Sequence, residues 1–264
     1  MALSFAPVFA SAQVRIAQLS DIHIGETRAP HAFENLRKAV DMVNARHPDA
    51  VVVSGDIGEN PHDRDLAKGI LKWLKAPVYY APGNHDVHTH DLGLNRAAFG
   101  PDYYRFHVKD IDFVVIDSQL LGNYEEYELT SPPSLPADTE MESRRMLAWL
   151  QKQAGAVQGR IIIGIQHVPA FRDHDFPDIR HPYWVISDPY RTQEVDLLHK
   201  LGIKDMLVGH WHSGRIFTES GITWRVAPAT SWLPWGGELG FALHTISPDG
   251  HVETEFVTLP DAQP

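Results

Sequence analysis

Five short stretches of the chain hold residues of the kinds that bind metal ions. They are Asp21-Ile22-His23, Gly55-Asp56, Gly83-Asn84-His85-Asp86, His167, and Gly209-His210-Trp211-His212. Singly, each has an ordinary explanation. A Gly-Asp pair makes turns, Asp21 and Asn84 can cap a turn, and His167 can be a core histidine. Together, and setting His85 and Asp86 aside, they supply two Asp, one Asn and four His, in a chain with no Cys. That set is too large for one tetrahedral zinc and suits two divalent ions that share a carboxylate. Oxygen and imidazole donors favour iron, manganese, zinc, cobalt or nickel and disfavour copper(I). Two such ions would lower the pKa of a bridging water to give a hydroxide nucleophile. They would also clamp a substrate's oxygens and offset the charge that builds in a displacement, so no side-chain nucleophile is needed. Gly55 would let the backbone turn so that the Asp56 carboxylate reaches the centre. The one-residue spacing of His210 and His212 would put both rings on the same side of an extended backbone.

Each stretch follows a run that reads as a strand. Residues 14–20 alternate with period two, 50–53 form a short apolar run, and 77–80 are Pro-Val-Tyr-Tyr. Helical spacing at 31–46 and 63–75 separates them, so the first 85 residues read strand–helix–strand–helix–strand with right-handed crossovers and a largely parallel sheet. Beyond them lie a hairpin at 103–108 and 111–117, a helix at 140–155, a strand at 160–166, a helix at 191–201 and a strand at 206–208. Short strands follow near 215–219, 222–226, 239–246 and 251–258, the last two with antiparallel-type alternation. Ligands of open α/β sheets bind outside the carboxyl ends of the strands, and all five stretches fall there. Residues 122–138 and 168–190 read as long loops, which in a compact domain tend to be functional. No linker separates the halves, so residues 13–264 read as one domain with two sheets.

The composition is that of a globular chain, 43% hydrophobic and 22% charged. Lys+Arg number 23 against 34 Asp+Glu, a net charge of -11, with no basic run; such a surface argues against a nucleic-acid polymer as partner. No apolar run reaches the roughly 18 residues of a membrane span. Residues 2–10 are apolar and Ala10-Ser11-Ala12 reads as a cleavage site. Residues 1–12 therefore read as a signal-peptide remnant with the mature chain from about Gln13, which predicts export to the periplasm or medium. The alternative is an apolar tail on a cytoplasmic protein, and the first basic residue is indeed as late as Arg15.

The ordered set D-x-H, G-D, G-N-H-D, H and G-H-x-H resembles the calcineurin-like metallophosphoesterase superfamily over about residues 14–258. The resemblance implies a four-layer α/β/β/α sandwich of two mixed sheets, the metallo-dependent phosphatase fold. It implies a hydrolase acting on a small phosphorylated substrate, a phosphomonoester or small phosphodiester, with two divalent transition metal ions. Asp21, His23 and His212 would hold the first ion, Asn84, His167 and His210 the second, and Asp56 would bridge them. His85 would be the acid or phosphate-binding group, oriented by Asp86. Asp117-Ser118-Gln119-Leu120-Leu121 and Gln166 to Phe171 are similar to the branch that includes a eukaryotic protein phosphatase, and the motif set is also that of class III cyclic nucleotide phosphodiesterases.

His88 and His90 read as neighbours of the site or exposed residues, since two ions already have a sufficient set. The 168–190 loop leaves the site at His167 and carries Phe171, Tyr183 and Trp184, which could wall a pocket, and Arg172 and Arg180, which could grip a phosphate bidentately. Trp232, Pro234 and Trp235 could stack on a substrate or pack the loop.

Overall fold

The computed structural model describes residues 13–90, 92–122, 124, 135–156, 159–176 and 182–264, without the side chains of 88–90. Strand β1 (Val14–Leu19) leads into helix α1 (Ala32–Arg46), β2 (Ala50–Ser54), α2 (Pro61–Leu71) and β3 (Val78–Ala81). Helix α3 (Leu92–Phe99), β4 (Tyr104–Val108), β5 (Ile111–Val115), α4 (Ala137–Ala156) and β6 (Ile162–Ile165) follow. The chain ends with α5 (Tyr190–Leu201), β7 (Asp205–Val208), β8 (Arg215–Glu219), β9 (Ile222–Val226), β10 (Gly240–Ile246) and β11 (Val252–Thr258).

Two mixed sheets form, in the orders β11-β10-β1-β2-β3 and β4-β5-β6-β7-β9-β8. The expected parallel run of β1 to β3 is there in the first sheet, and β5, β6, β7 and β9 form a second parallel run in the other. Period two sorts the side chains into layers. On β2, Val51 and Val53 pack with Leu36, Val40 and Val43 of α1, while Ala50 and Val52 pack with Phe113, Ile163 and Leu207 of the other sheet. Val114, Ile162 and Met206 turn outward from the second sheet to Met146 and Leu150 of α4 and Leu198 of α5. The result is the α/β/β/α sandwich. None of the described helices is long and apolar enough to cross a membrane.

Three local expectations differ. Helix α2 starts earlier and stops earlier than 63–75. Asn60 caps it, its Oδ1 accepting from His62 N and Asp63 N at 3.0 and 3.1 Å, with Pro61 at the first turn. Helix α3 is only eight residues long and is not read from the sequence. Strand β10 does not alternate; it is buried along nearly its whole length because it lies between β1 and β11 with cores on both faces.

Candidate metal centre

All five motifs sit at carboxyl strand ends on one edge of the sandwich, after β1, β2, β3, β6 and β7. Backbone bonds join the loops to one another. Ile22 N and His23 N both donate to Asp56 O at 2.8 Å, and Gly209 N donates to His167 O at 2.9 Å. The parallel register of β1 on β2 continues past the strands to a bridge between Ile24 and Gly58. Close approach of the loops requires glycine, as Gly83 and Gly209 show. A Cβ on Gly83 would overlap Asp56 Oδ1, and one on Gly209 would overlap Ser20 Oγ. Gly55, at φ +92°, supplies the expected turn ahead of Asp56.

Asp21, His23, Asp56 and His212 form one cluster, with ligand atoms all within 4.8 Å of one another, and Asp56, His167 and His210 form a second. Asp56 belongs to both. Its Oδ2 lies 3.5 Å from His23 Nε2 and 3.0 Å from His167 Nε2, and its Oδ1 accepts from His85 N at 2.9 Å. His210 and His212 part company: one ring goes to each cluster. The same-side expectation fails because both residues are left-handed, φ +71° and +53°, and not extended. Between them Trp211 is fully buried against Phe176 and Phe217 and donates its Nε1–H to Trp184 O, an anchor about which the two histidines diverge.

The outer nitrogens of the rings settle what the inner ones can do. His167 Nδ1 donates to Ser54 O at 2.6 Å, His212 Nδ1 to Trp232 O at 3.0 Å and His210 Nε2 to Tyr183 O at 2.8 Å. A carbonyl only accepts, so each of these nitrogens carries the hydrogen. His23 Nδ1 faces the Glu59 carboxylate at 2.9 Å in the same way. In their neutral forms all four rings therefore present bare lone pairs inward. His23 Nε2 and His212 Nε2 face each other at 3.2 Å, with Asp21 Oδ1 3.4 Å from the latter. Asn84 Oδ1 is buried with no hydrogen-bond partner, its Nδ2 being used on Tyr183 Oη and Tyr124 O. Converging lone pairs and an orphaned amide oxygen in a buried site are a donor set that fits cations.

Electrostatics agree. Burial holds His210 well below the ordinary imidazole range and brings His212 down to about 4, the neutral state a ligand needs. Burial also raises Asp21. Burial opposes charge on His167 as well, yet the Asp56 carboxylate outweighs it and pushes the ring up to about 9. This pair competes for a proton where a metal cation would compete with it.

His85 stands at the rim with its Nδ1 2.7 Å from Glu59 Oε2. Asp86 was expected to orient this ring, and it does not. Its Oδ1 accepts from Ile57 N and Gly58 N and its Oδ2 from Gly83 N, so it ties the β2 and β3 loops together. Glu59 orients His85 instead, and with its other oxygen it holds His23. Burial works against a charged His85, but Asp56 and Glu59 prevail and push it up to about 9.

A cavity of about 600 Å³ opens over both clusters, lined by Asp56, His85, His210, His212, Tyr183, Trp184, Trp232, Pro234, Trp235 and Arg28. The two tryptophan stretches expected either to wall a pocket or to pack do both. Trp235 also meets Phe176 and Trp184 edge-on. Arg172 does not line the cavity, and Arg180, His181 and the side chains of His88 and His90 lie outside the described residues. The arginine of the cavity is Arg28, bonded to Glu26 at 2.7 Å and stacked 4.3 Å over the Trp232 ring. Arg28 and Glu59 went unnoticed in the sequence. Glu59 had one usable signal: the β1–β2 register, carried six residues past Val53, brings it beside the D-x-H loop.

The family profile of calcineurin-like phosphoesterases matches residues 14–214. The chain belongs to this family. It is accordingly a hydrolase of phosphoric esters, in a family that depends on two metal ions. Among curated relatives of this phosphoesterase, a probable cyclic nucleotide phosphodiesterase of Fibrobacter succinogenes is 26% identical over 82% of the chain and 80% of its own length. The serine/threonine-protein phosphatase CPPED1 of Bos taurus is 25% identical over 68% of the chain and 58% of its own length. A dimetal phosphatase from Danio rerio has the same fold, with a TM-score of 0.67 at 16% identity, covering 93% of this chain and 99% of that one. GAP50, described as the anchor in the inner membrane complex of Plasmodium, shares the fold equally well, with a TM-score of 0.67 at 14% identity over 95% of this chain and 86% of its own. The fold alone does not fix the role, and the site must carry it.

Proposed function

We propose that this phosphoesterase hydrolyses small, soluble phosphodiesters, using two divalent ions drawn from manganese, iron or zinc. In this reading Asp21, His23 and His212 hold one ion, Asn84, His167 and His210 hold the other, and Asp56 bridges. The observation that carries it is the position of Asp56 Oδ2 between His23 Nε2 and His167 Nε2 on the floor of the cavity. When bound, such ions supply Lewis acidity toward the phosphoryl oxygens and an activated water. The chain's own groups do the rest. His85, held by Glu59, keeps a proton for the leaving-group oxygen. Arg28 meets the ester's oxygens at the mouth, fixed by Glu26 and Trp232. The aromatic wall of Tyr183, Trp184, Trp232 and Trp235 excludes water and accepts the organic group.

Two observations favour a small diester over a phosphoprotein. The cavity is of nucleotide size and walled by rings, and the relative named as a cyclic nucleotide phosphodiesterase is matched over more of its length than the protein phosphatase. The test is turnover of the manganese-reconstituted protein on bis-p-nitrophenyl phosphate, cyclic nucleotides, phosphomonoesters, a phosphopeptide and single-stranded DNA. Hydrolysis confined to the phosphopeptide or the DNA would overturn the substrate assignment, and no hydrolysis with two ions bound would overturn the assignment of the site. We also propose that the mature chain, from about Gln13, is exported, which N-terminal sequencing of fractionated cells checks.

A further inference from the structure

Tyr183 touches two of the proposed ligands of one ion, by two different parts of the residue. Its hydroxyl oxygen lies 2.9 Å from Asn84 Nδ2, and its backbone carbonyl accepts from His210 Nε2 at 2.8 Å. Its ring packs 4.8 Å from the His210 ring and faces the cavity. The residue belongs to the long loop after His167, in the short turn Pro182–Trp184, far from Asn84 in sequence.

The Asn84 amide must present oxygen, not nitrogen, to a cation. The Tyr124 carbonyl decides which way it faces, and the Tyr183 hydroxyl holds it there. Tyr124 O, at 3.3 Å, can only accept, and the Tyr183 hydroxyl, which can do either, completes the pair of acceptors for the two N–H bonds. With both hydrogens used on that side, Oδ1 turns inward, where it is buried and otherwise unpartnered. Of the two acceptors Tyr183 is at the shorter distance.

We infer that Tyr183 is a positioning residue for the ion held by Asn84, His167 and His210, acting through the orientation of the Asn84 amide. This inference rests on the proposed ligand assignment, and through Tyr183 the wall of the substrate cavity becomes part of the scaffold of that metal site.

Tyr183→Phe removes only the hydroxyl. The carbonyl that holds His210 and the ring that lines the cavity both remain, so the variant separates the amide from everything else Tyr183 does. Metal-free protein is titrated calorimetrically with Mn²⁺. The loss of an outer partner of a ligand typically weakens a metal site about 10–100-fold. The expected result is one of the two binding events weakened about 10-fold and the other unchanged. In an Asn84→Ala background, Tyr183→Phe should then have no further effect on either event, because the group it positions is gone.

Equal weakening of both events in Tyr183→Phe, no weakening of either, or a full effect persisting without Asn84 would each overturn the role. Should the wild-type chain bind fewer than two ions, the ligand assignment itself fails, and that outcome is read from the wild type alone. The unchanged binding event is the control against misfolding, since a misfolded variant would lose both.

Discussion

Glu59→Gln tests how one carboxylate serves two histidines. Glu59 Oε1 takes the Nδ1–H of His23 at 2.9 Å and Oε2 takes that of His85 at 2.7 Å. Glutamine keeps the shape but has one acceptor oxygen, so its NH₂ must face one of two N–H donors and that ring loses its hold. At His85 the expected loss is that of a mis-set general acid, about 10²–10⁴ in turnover on an alkyl phosphoester and clearly less on a nitrophenyl ester, whose leaving group needs no proton. At His23 the expected loss is a roughly 10-fold or greater fall in affinity for one ion. The assay is kcat on both esters across a Mn²⁺ titration. Saturating Mn²⁺ should remove the affinity defect and leave the alkyl-ester defect. The pH profile moves in a definite direction. His85 must be protonated to donate, so activity falls as pH rises through its pKa, which the carboxylates push up to about 9. Removing the Glu59 charge lowers that pKa, and the alkaline limb shifts to lower pH. If excess Mn²⁺ restored full turnover on the alkyl ester with the limb unmoved, Glu59 would serve His23 alone, and the reasoning about His85 would be wrong.

Gly83→Ala should cost at least about 10² in turnover without rescue by Mn²⁺, since the methyl group would displace Asp56 and with it a term of that order in electrostatic preorganisation. Gly69→Ala, a helix position with open space around it, is the control and should stabilise the protein by about 0.5–1 kcal/mol in chemical denaturation. Arg28→Ala should raise KM about 10-fold with bound metal unchanged, and Arg28→Lys should not restore it, because an ammonium cannot reproduce a planar group stacked on Trp232; an unaltered KM would remove Arg28 from the substrate site. His244 is buried between Gln18 and Thr254, and burial brings it down to about 3. Below pH 6.5 the unfolded chain therefore takes up a proton that the folded chain refuses, so stability falls with pH, by about 2 kcal/mol from this group at pH 5. Denaturation of the metal-free protein at pH 7.5 and 5 should show a correspondingly shallower pH dependence in His244→Gln.

Much of the fold was legible because period two and period 3.6 alternate so plainly in the first half. Val51 and Val53 against Ala50 and Val52 announce a strand with a core on each face, and α1 shows its Leu36, Val40 and Val43 stripe. Helix α3 was not legible because its eight residues make little more than two turns, too few for a helical period to stand out, and they include Gly93. The hydrophobic spacing of α2 runs on to Leu74, past its end at Leu71, and the Asn60 cap is the better guide to its start. In the site, ligand types and order were written in the motifs, but partners were not. Asp86 stands next to His85 in sequence and bonds backbone instead. Glu59 and Arg28 share loops with the Gly55-Asp56 and Asp21-Ile22-His23 motifs but belong to neither, and tertiary pairing brings them to the site.

The deeper reason is backbone conformation. Asp21, His23, Asp56, His210 and His212 are all left-handed, with φ between +50° and +71°. Each such residue costs about 1 kcal/mol or more, although Asp and His tolerate the region better than most. Five together cost on the order of 5 kcal/mol, a large fraction of the net stability of a domain. A conformation so unfavourable persists only where neighbours fix it, and here the loops fix one another. His210 N donates to the Asp21 carboxylate, Ile22 and His23 donate to Asp56 O, and Ser231 Oγ donates to Asp21 O. Side chains on left-handed residues leave the chain in directions that strand alternation does not describe, which is how His210 and His212, two residues apart, reach different clusters. The directions of the donor side chains are thus held by hydrogen bonds that the site loops make to one another.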